Sequence, residues 1–365
     1  MKCQNCSAES RDGLKFCPQC GYPYVNDLKT VVQSRSDNQL EKEAVRINVE
    51  NNSNSQDNAY IELITYKCRN CGANLSYSGN TLSTSCPYCR TEYIVKTETI
   101  QKEARPEGIL PFLVTQDQAI KVFNNWLSKG FWAPRNMTKF TKLNDIVPFF
   151  VPVWVFSTNT KTSWSGRSGM HRSRQIAYKD ADGVTQYKTE YYTDWFPVNG
   201  IIESYYPAIP VAGSKTLIEH LAKMKRYKGF SWTIIDGYDY MSPEPFDSRY
   251  IGKLSVDTNL IPLEEAIPKF KIRLDMLESK ACKDMISGDE KKLEHYNITL
   301  NDTEHKLIYV PLYLSSFYYK RRLYHFIVNG STKAVASERK PISLAKVLLV
   351  LAIFVSITTL IAYFA

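Results

Sequence analysis

Residues 68–89 read Cys-Arg-Asn-Cys-Gly-Ala-Asn-Leu-Ser-Tyr-Ser-Gly-Asn-Thr-Leu-Ser-Thr-Ser-Cys-Pro-Tyr-Cys, so two Cys-x-x-Cys pairs stand fourteen residues apart. The amino terminus carries a second foursome of the same kind, with ten residues between its pairs. A Cys-x-x-Cys turn points two thiolates at one ion, and a second turn brought close by a hairpin completes a tetrahedron. The spacing therefore predicts two four-cysteine zinc ribbons, with the ligands Cys3, Cys6, Cys17 and Cys20 in ribbon 1 and Cys68, Cys71, Cys86 and Cys89 in ribbon 2.

The residues beside these cysteines suit the turns that a metal site needs. Pro18 and Pro87 directly follow the first cysteine of a pair, where the fixed φ of proline bends the chain in advance. Gly21 and Gly72 directly follow the second cysteine, where a positive φ is often required. The flanking residues make both foursomes more specific signals than cysteine spacing alone.

Disulfide bonds and iron are the alternatives to zinc. Disulfides suit small secreted scaffolds, but the chain opens Met1-Lys2-Cys3-Gln4-Asn5 without the apolar run of a secretory signal, so we expect a reducing compartment. Rubredoxin-like iron sites use similar turns, and spacing alone does not exclude them. Ligand softness and geometry favour zinc, and we expect two Zn²⁺ ions per chain. Four cysteines close the coordination sphere, so both metals are expected to be structural.

The charge of the ribbons bears on what they bind. Residues 1–24 carry three basic and two acidic side chains, and residues 67–93 carry three basic and one acidic side chain. Neither stretch has the clustered Lys/Arg footprint of a protein that binds phosphate backbones. The count favours a protein partner, with nucleic acid as the alternative.

Residues 344–365 form the second clear signal in the chain. No charged residue follows Lys346, and a helix needs about 20 apolar residues to cross a bilayer. Tyr363 and Phe364 suit one membrane interface, and Lys346 can reach the other. A buried core helix is the alternative, although such a helix usually shows a more continuous polar stripe. The sequence predicts a transmembrane tail anchor that contacts the lipid bilayer through residues 344–365.

Basic residues set the expected orientation of this span. Four of them lie at or before its start and none follows it: Lys333, Arg339, Lys340 and Lys346. The positive-inside rule then places the amino-terminal bulk in the cytoplasm, at the inner membrane of the cell. That compartment also keeps thiols reduced, as zinc ligands require. The formal net charge of +9 suits an anionic inner leaflet, while a solvated surface explains any single basic patch equally well.

The chain between these signals divides into a linker and a larger domain. Residues 29–59 are polar and rich in Asn, Ser, Gln and Asp, which predicts a flexible linker between ribbon 1 (residues 1–25) and ribbon 2 (residues 60–98). The two ribbons are therefore not expected to hold a fixed relation. Residues 106–340 are long enough for one sizeable core or two small ones and predict a β-rich α+β domain.

A few helices are expected in that domain. They are Gln116–Lys129, a segment after Ser214, and a segment from about Leu263 to Ile286. Thr115 and Gln118 fit a capping box at the start of the first helix. Pro268 is expected to bend the third helix or to delay its start. Cys282, on that helix, is expected to be a buried small hydrophobe.

Aromatic and β-branched runs predict the strands of the domain. They are Pro148–Ser157, Tyr187–Phe196, Leu307–Tyr319, Leu323–Val328 and Lys333–Ala336. The segment Val151–Ser157 (VPVWVFS) resembles Val310–Ser316 (VPLYLSS), which predicts two related strands in one sheet. The glycine-rich run Trp164–Arg172 is expected to form a hairpin loop, with an anion pocket as the alternative.

At this point the chain resembles the bacterial membrane-associated TFIIB-type zinc-ribbon proteins over roughly residues 65–365. The resemblance rests on ribbon 2 and on Leu110-Pro111-Phe112, Asp117-Gln118-Ala119, Trp126, Trp154-Val155-Phe156, Trp164-Ser165-Gly166, Trp195, Pro197-Val198, Gly200 and Val328-Asn329-Gly330-Ser331-Thr332-Lys333. Lys333 departs from the pattern, because glycine usually stands there. The resemblance implies a membrane-linked scaffold, in some bacteria near SPFH-type and phage-shock-type envelope-stress proteins.

Members of that family often carry a replication restart helicase label, which this sequence argues against. The only Gly-Lys pair, Gly252-Lys253, has Asp247 where the first glycine of a phosphate-binding loop should stand. The His-Glu-x-x-His and Gly-x-Ser-x-Gly motifs are also missing from the sequence. We therefore expect no helicase or hydrolase activity and assign no catalytic residues.

These patterns together predict an α+β protein with two small four-cysteine zinc ribbons, a β-rich central domain with a few helices, and a C-terminal transmembrane helix. The expected function is that of a membrane-anchored cytosolic adaptor or scaffold, which recruits a protein partner to the inner membrane in envelope stress. The alternative is a membrane-tethered nucleic-acid-binding protein, and an enzyme built on the central domain is the third hypothesis.

Overall fold

The structure is a computed structural model of the 365-residue chain. It describes residues 2–3, 5–9, 14–24, 60–76, 83–89, 91–94, 99–128, 130–131, 134, 146–179, 181–225, 234–251, 254–319, 322–338, 340 and 342–364. The predicted fold class is confirmed: two four-cysteine clusters lie near the amino terminus, the centre is β-rich with a few helices, and an apolar helix follows at the C-terminus. The linker predicted over residues 29–59 lies outside the described residues.

The chain forms two compact units. Unit 1 comprises Met1–Val153, Ala212–Ile261 and Leu307–Ala365, and unit 2 comprises Trp154–Val211 and Pro262–Lys306. Unit 1 therefore contains both cysteine clusters and the C-terminal helix. The segment 106–340, expected to form one domain, contributes to both units.

Long strands dominate the described residues. The strands are β1 (Tyr60–Lys67), β2 (Asn74–Ser76), β3 (Ser83–Ser85), β4 (Glu92–Ile94), β5 (Thr99–Ala104), β6 (Gly108–Ile109), β7 (Ile146–Lys179), β8 (Thr185–Ala212), β9 (Glu244–Pro245), β10 (Ser255–Asp257), β11 (Glu290–Tyr319), β12 (Arg322–Asn329) and β13 (Val335–Ser337). Each strand predicted from the sequence overlaps one of these, but β7, β8 and β11 extend far beyond the predicted runs.

The strand order in the main sheet is β13-β12-β11-β7-β10-β2-β1-β5. Most neighbours run antiparallel, whereas β10 pairs with β7 in parallel. Three strands pair outside this order, β8 with β7, and β6 with both β11 and β9. The hairpin β3–β4 is separate and carries the second cysteine pair of ribbon 2 between its strands.

The predicted helices are confirmed with bounds close to those expected. They are α1 (Gln116–Ser128), α2 (Lys215–Lys225), α3 (Leu263–Met285) and the C-terminal α4 (Leu344–Phe364). The capping box forms as predicted, because the Thr115 N–H donates to Gln118 Oε1 (3.3 Å) and the Gln118 N–H donates to Thr115 Oγ1 (3.2 Å). Pro268 does not delay α3, which begins at Leu263. Its missing N–H removes only a hydrogen bond to a carbonyl in the first turn.

The expectation of a hairpin loop over Trp164–Arg172 is wrong, because these residues lie inside β7. Gly166 is needed for close packing rather than for a turn, since a Cβ there would stand 2.4 Å from the carbonyl oxygen of Lys292. Cys282 is buried as predicted, in a small core with Trp164 and Ile286.

The internal resemblance between VPVWVFS and VPLYLSS is confirmed as two neighbouring strands, because β7 and β11 are adjacent in the sheet. The two segments also make the same backbone contact. The Pro152 carbonyl accepts the N–H of Gly213 (2.9 Å), and the Pro311 carbonyl accepts the N–H of Gly330 (3.0 Å). A Cβ at either glycine would stand within 3 Å of that carbonyl oxygen, so both positions favour glycine.

The turn between β12 and β13 shows what happens where Lys333 replaces the glycine expected from the family pattern. Lys333 adopts a φ of 63°, the left-handed conformation that glycine takes most easily. The Asn329 Oδ1 atom stabilises the turn by accepting the N–H groups of Ser331 and Thr332, both at 2.8 Å. The turn therefore forms with lysine in the left-handed position.

Helix α4 is a candidate membrane span by length and composition. Its 21 residues give a length of about 31 Å at the usual rise of an α-helix, enough to cross the hydrocarbon core of a bilayer. Two lysines, one just before α4 and one in its first turn, bond to backbone carbonyls in and after α1. Lys346 donates to the carbonyl of Phe131 (2.8 Å), and Lys340 donates to the carbonyl of Trp126.

Candidate metal centres

The four Cys-x-x-Cys turns share one backbone geometry, although they differ in sequence. In each turn the first cysteine donates its N–H to the carbonyl five residues later: Cys3 to Ala8 (2.9 Å), Cys17 to Tyr22 (2.7 Å), Cys68 to Ala73 (2.8 Å) and Cys86 to Thr91 (3.1 Å). The residue after the second cysteine donates back to the first in three turns, and each of these residues has a positive φ: Ser7 (58°), Gly21 (70°) and Gly72 (76°). The two glycines were predicted from the sequence, whereas Ser7 was not.

These turns bring all eight predicted ligands together in two groups of four. Within each group every pair of sulfur atoms lies within 4.8 Å. The closest pairs join the two turns of one ribbon: Cys3–Cys20 (3.6 Å), Cys6–Cys17 (3.7 Å), Cys68–Cys89 (3.5 Å) and Cys71–Cys86 (3.6 Å). The sequence therefore predicted the complete membership of both groups.

The sulfur positions fit a tetrahedral metal ion better than a disulfide. A tetrahedron with metal–sulfur bonds of about 2.3 Å has edges of about 3.8 Å, close to the shortest sulfur–sulfur distances here. Disulfide sulfurs lie about 2.05 Å apart, and all eight cysteines are free thiols. Burial raises the pKa of the Cys20 thiol, so a thiolate there needs a cation beside it. Each group of four cysteines could therefore hold one metal ion.

Ribbon 1 packs on unit 1 through apolar and aromatic contacts. The Phe16 ring stacks on the Tyr250 ring with centroids 3.7 Å apart and an interplanar angle of 12°. Gly21 accepts the N–H of Phe112 (2.9 Å), and a Cβ on Gly21 would stand 2.2 Å from Phe112 Cδ2. Leu14 and Phe16 belong to the main hydrophobic core of the unit. Ribbon 1 is therefore seated on the unit rather than held away from it.

Ribbon 2 inserts a tyrosine into a buried polar network. Tyr88 stands between the ligands Cys86 and Cys89, and its side chain is fully buried. Its hydroxyl donates to Asp257 Oδ2 (2.6 Å), which also accepts the Ser214 hydroxyl (2.6 Å). Burial raises the pKa of the Asp257 carboxyl and places the pKa of the Tyr88 hydroxyl well above its usual range. These hydrogen bonds connect the Cys86–Cys89 turn to the start of α2.

A histidine connects the same turn to the segment before α4. His325 lies on β12, with Nε2 2.8 Å from the Tyr88 carbonyl oxygen and Nδ1 2.7 Å from Glu338 Oε1. Burial of Glu338 raises the pKa of its carboxyl, but the hydrogen bond and charge of His325 and the charge of Arg322 outweigh that effect, so the pKa is lowered. Glu338 follows β13 and precedes α4 by six residues. These hydrogen bonds link ribbon 2 to Glu338, six residues before the candidate span.

Ser214 joins this network to the start of α2. Ser214 is fully buried, and its hydroxyl caps α2 by accepting the N–H of Leu217 (2.9 Å) while donating to Asp257. The nearby His220 pairs through Nδ1 with the carbonyl of Thr216 (2.8 Å). A nucleophilic serine needs a base on its proton and access for a substrate. This serine has a carboxylate partner but no exposed surface.

The residues that attach the ribbons to the rest of unit 1, such as Phe16 and Tyr88, were not predicted from the sequence. In both ribbons an aromatic residue beside the second cysteine pair packs into unit 1, whereas the turn of the first pair has neighbouring exposed residues: Cys6 and Ser7 in ribbon 1, Arg69 and Asn70 in ribbon 2. One signal could have revealed this polarity. Phe16 and Tyr88 are large aromatic residues beside ligands of the second pair, and a ribbon of about 25 residues has no core of its own in which to bury them.

The chain has a distant similarity to a bacterial protein. No protein-family profile matches the chain, and no solved structure matches it. The uncharacterized protein YdjG of Bacillus subtilis (strain 168) is 23% identical over 334 residues, covering 78% of this chain and 92% of the relative. The similarity extends over most of both chains, and the relative's name gives no activity.

Proposed function

We propose that this chain is a membrane-anchored zinc-ribbon adaptor that holds a protein partner at the inner face of the cell membrane. One observation carries the proposal: both four-cysteine groups and the candidate span belong to the same compact unit. A partner bound at the ribbons would therefore be held near the membrane by packed structure. The family resemblance suggests an envelope-stress protein of the SPFH or phage-shock type as that partner.

Zinc has a structural role in this proposal. Thiolate ligands in a closed tetrahedron suit zinc and leave no position for water or substrate. The metals fix the turns of the first cysteine pairs, which carry exposed residues. Aromatic residues beside the second pairs attach the ribbons to the core. The proposed adaptor therefore needs metal for its surface and needs no catalytic step.

The exposed turn of ribbon 2 is the surface that we assign to the partner. Lys67, Arg69 and Asn70 are exposed there, next to the buried ligand Cys68. A rigid turn with exposed polar and basic groups suits an acidic or polar protein surface, and its small charge is a weak footprint for nucleic acid. Lys340 and Lys346, at or just before the start of α4, support a cytoplasmic unit 1 in this proposal under the positive-inside rule.

Fractionation tests the anchor. The full chain is expected in the membrane fraction with about two zinc ions, as its two ligand sets require. Removal of residues 344–365 should move the protein to the soluble fraction with its zinc unchanged. A full chain that stays soluble, or one that carries no zinc, contradicts the proposal.

Affinity purification from membranes tests the adaptor role with a matched pair of variants. Arg69→Asp combined with Asn70→Asp reverses the charge of the exposed turn, whereas Lys121→Asp makes a similar change on the exposed face of α1. We expect at least a tenfold loss of the co-purified protein for the first variant and no loss for the second, with equal zinc and membrane content. Equal recovery from both variants argues against this surface. Loss of the partner after nuclease treatment favours the nucleic-acid alternative instead.

A further inference from the structure

Unit 2 contains most of β7 and β8 and residues 290–306 of β11, with α3 packed against them. Phe156 on β7 stacks on Phe270 of α3 with ring centroids 4.5 Å apart, and Trp164 packs with Cys282 and Ile286. Among the described residues, β8 pairs only with β7, and residues 290–306 of β11 pair only with β7. The sheet of this unit therefore has two edges, each with a row of backbone groups that another strand could pair with.

The β11 edge carries features that discourage such pairing. Seven of its seventeen residues are charged: Glu290, Lys291, Lys292, Glu294, Asp302, Glu304 and Lys306. Asp302 also has a φ of 48°, which interrupts the regular extended backbone. Charges and irregular backbone are the usual means by which proteins prevent edge-to-edge association.

The β8 edge is built in the opposite way over Thr185–Phe196. Five of these twelve residues are aromatic and exposed: Tyr187, Tyr191, Tyr192, Trp195 and Phe196. Tyr191 is 81% exposed and Tyr187 is 69% exposed, although both lie in regular strand. The segment contains no proline, and Pro197 directly follows it. A long regular edge with exposed aromatic side chains is a surface that favours pairing with another strand.

The sequence of this edge is complementary to itself about Tyr191. In an antiparallel pair of two copies with Tyr191 on the two-fold axis, Lys188 lies opposite Asp194 of the second copy, and Asp194 lies opposite Lys188. The same register places Tyr187 opposite Trp195 and Thr189 opposite Thr193. Opposite charges, aromatic pairs and Thr–Thr pairs are the cross-strand combinations that stabilise antiparallel sheets.

We propose that two copies of this chain associate through β8, in an antiparallel pair centred on Tyr191. The two-fold symmetry makes both edges equal, so each favourable pair occurs twice and the assembly closes as a dimer. Asp194 pairs with Arg172 of its own chain (2.9 Å), and in the dimer its carboxylate would also face Lys188 of the second copy. A second copy is therefore the occupant that the charges favour. This inference concerns unit 2 and does not depend on the partner proposed for the ribbons.

Cross-linking at the two-fold axis tests the register. Tyr191→Cys in the zinc-loaded full chain, in detergent, brings the new thiol next to its own copy, at a Cα separation of about 4.5–5.5 Å. Tyr187→Cys is the matched control, because two copies of residue 187 would lie eight residues apart, about 27 Å along the strands. With a short thiol-reactive cross-linker we expect a covalent dimer from Tyr191→Cys and little from Tyr187→Cys or the unmodified chain.

Mixed samples sharpen the same test. Chains with Lys188→Cys and chains with Asp194→Cys should cross-link when mixed and much less when separate. Equal cross-linking of Tyr191→Cys and Tyr187→Cys, or no cross-linking of either, overturns the proposed pairing.

The dissociation constant of the dimer gives an independent measurement. Lys188 is exposed, so its substitution leaves the core of the unit unchanged. Lys188→Asp places two carboxylates opposite each other at both ends of the pair and should weaken the dimer at least tenfold, whereas Lys188→Arg should leave it within about twofold. Analytical ultracentrifugation in detergent measures both. A chain that is monomeric at every concentration, or one whose association ignores Lys188→Asp, overturns the proposal.

Discussion

The two ribbons have the same ligands and the same turn geometry, but unit 1 holds them by different kinds of contact. Ribbon 1 is attached by aromatic stacking of Phe16 on Tyr250 and by close packing of Gly21 on Phe112. Ribbon 2 is attached by Tyr88, whose hydroxyl and carbonyl bond to Asp257 and His325 inside the unit. One ribbon covers the core, whereas the other supplies part of a buried polar network.

The difference shows that a metal site's effect on stability depends on what its turns touch. Loss of ribbon 1 would expose an apolar surface and leave few polar groups unpaired. Loss of ribbon 2 would remove a hydrogen-bond donor from the buried Asp257 carboxyl, at a cost of about 1–3 kcal/mol for each unsatisfied group. It would also leave His325 without the Tyr88 carbonyl, close to the base of α4.

Removal of one metal ligand from each ribbon should separate them most strongly. Cys86→Ser in ribbon 2 is expected to leave unit 1 unfolded, because release of Tyr88 leaves the buried Asp257 carboxyl without a donor and small domains have only about 5–15 kcal/mol of stability in total. Cys17→Ser in ribbon 1 should lower the melting temperature and leave a folded unit that keeps about one zinc. Circular dichroism melting with metal analysis measures both variants. Equal melting temperatures and equal zinc content would contradict the difference in attachment.

Substitution of the two turn glycines should have the next largest effect. Gly21 and Gly72 have nearly equal positive φ values, 70° and 76°, so alanine costs about 1–2 kcal/mol of backbone strain at each. A Cβ at Gly21 would also overlap Phe112, whereas nothing lies within 4 Å of a Cβ at Gly72. Phe112 is buried against Phe150 and Tyr313, so we expect Gly21→Ala to destabilise unit 1 by about 1–3 kcal/mol more than Gly72→Ala.

Denaturant unfolding of the two alanine variants measures that difference in free energy. The zinc content should stay near two for both, which separates docking from metal loss. If Gly72→Ala is as destabilising as Gly21→Ala, the close packing of Gly21 on Phe112 contributes nothing to the free energy of unfolding.

The sequence predicted the membership of the two cysteine groups because the requirement is local. Cysteine spacing decides which thiols converge, and Gly21 and Gly72 mark the positive φ that each turn needs. The contacts that attach the ribbons to unit 1 were not predicted, because they join residues distant in sequence: Phe16 stacks on Tyr250, and Tyr88 donates to Asp257. The expectation that the ribbons hold no fixed relation rested on the intervening composition alone, and it did not consider these aromatic side chains.

The same contrast explains the fold. Helix α1 was predicted from its capping box, Thr115 with Gln118, whose two hydrogen bonds act within three residues. The length of β7 was missed because Gly166 indicated a turn, whereas the glycine serves the close approach of Lys292 on another strand. Local composition does not distinguish a glycine that turns the chain from one that admits a neighbour.

The smallest expected effect is a dependence of stability on pH that arises beside the Asp257 network of ribbon 2. Glu103 on β5 is partly buried, and burial followed by the negative charge of Asp257 raises its pKa from 4.5 to about 7. The folded state then binds more protons than the unfolded state between those values, so stability falls as the pH rises from about 4.5 to about 7.

Glu103→Gln should raise the stability of unit 1 at pH 8 and reduce this slope. It should not abolish the slope, because the pKa of Asp257 is raised as well. Glu244→Gln is the matched control on the ribbon 1 side, where Glu244 pairs with exposed Lys15 at 2.5 Å. Such surface pairs contribute little to stability, so the control should leave the slope unchanged. Denaturant unfolding between pH 5 and 8 compares the two variants. An equal change in both would place the pH dependence outside the network around Asp257, and an unchanged slope for Glu103→Gln would mean that Glu103 is not part of it.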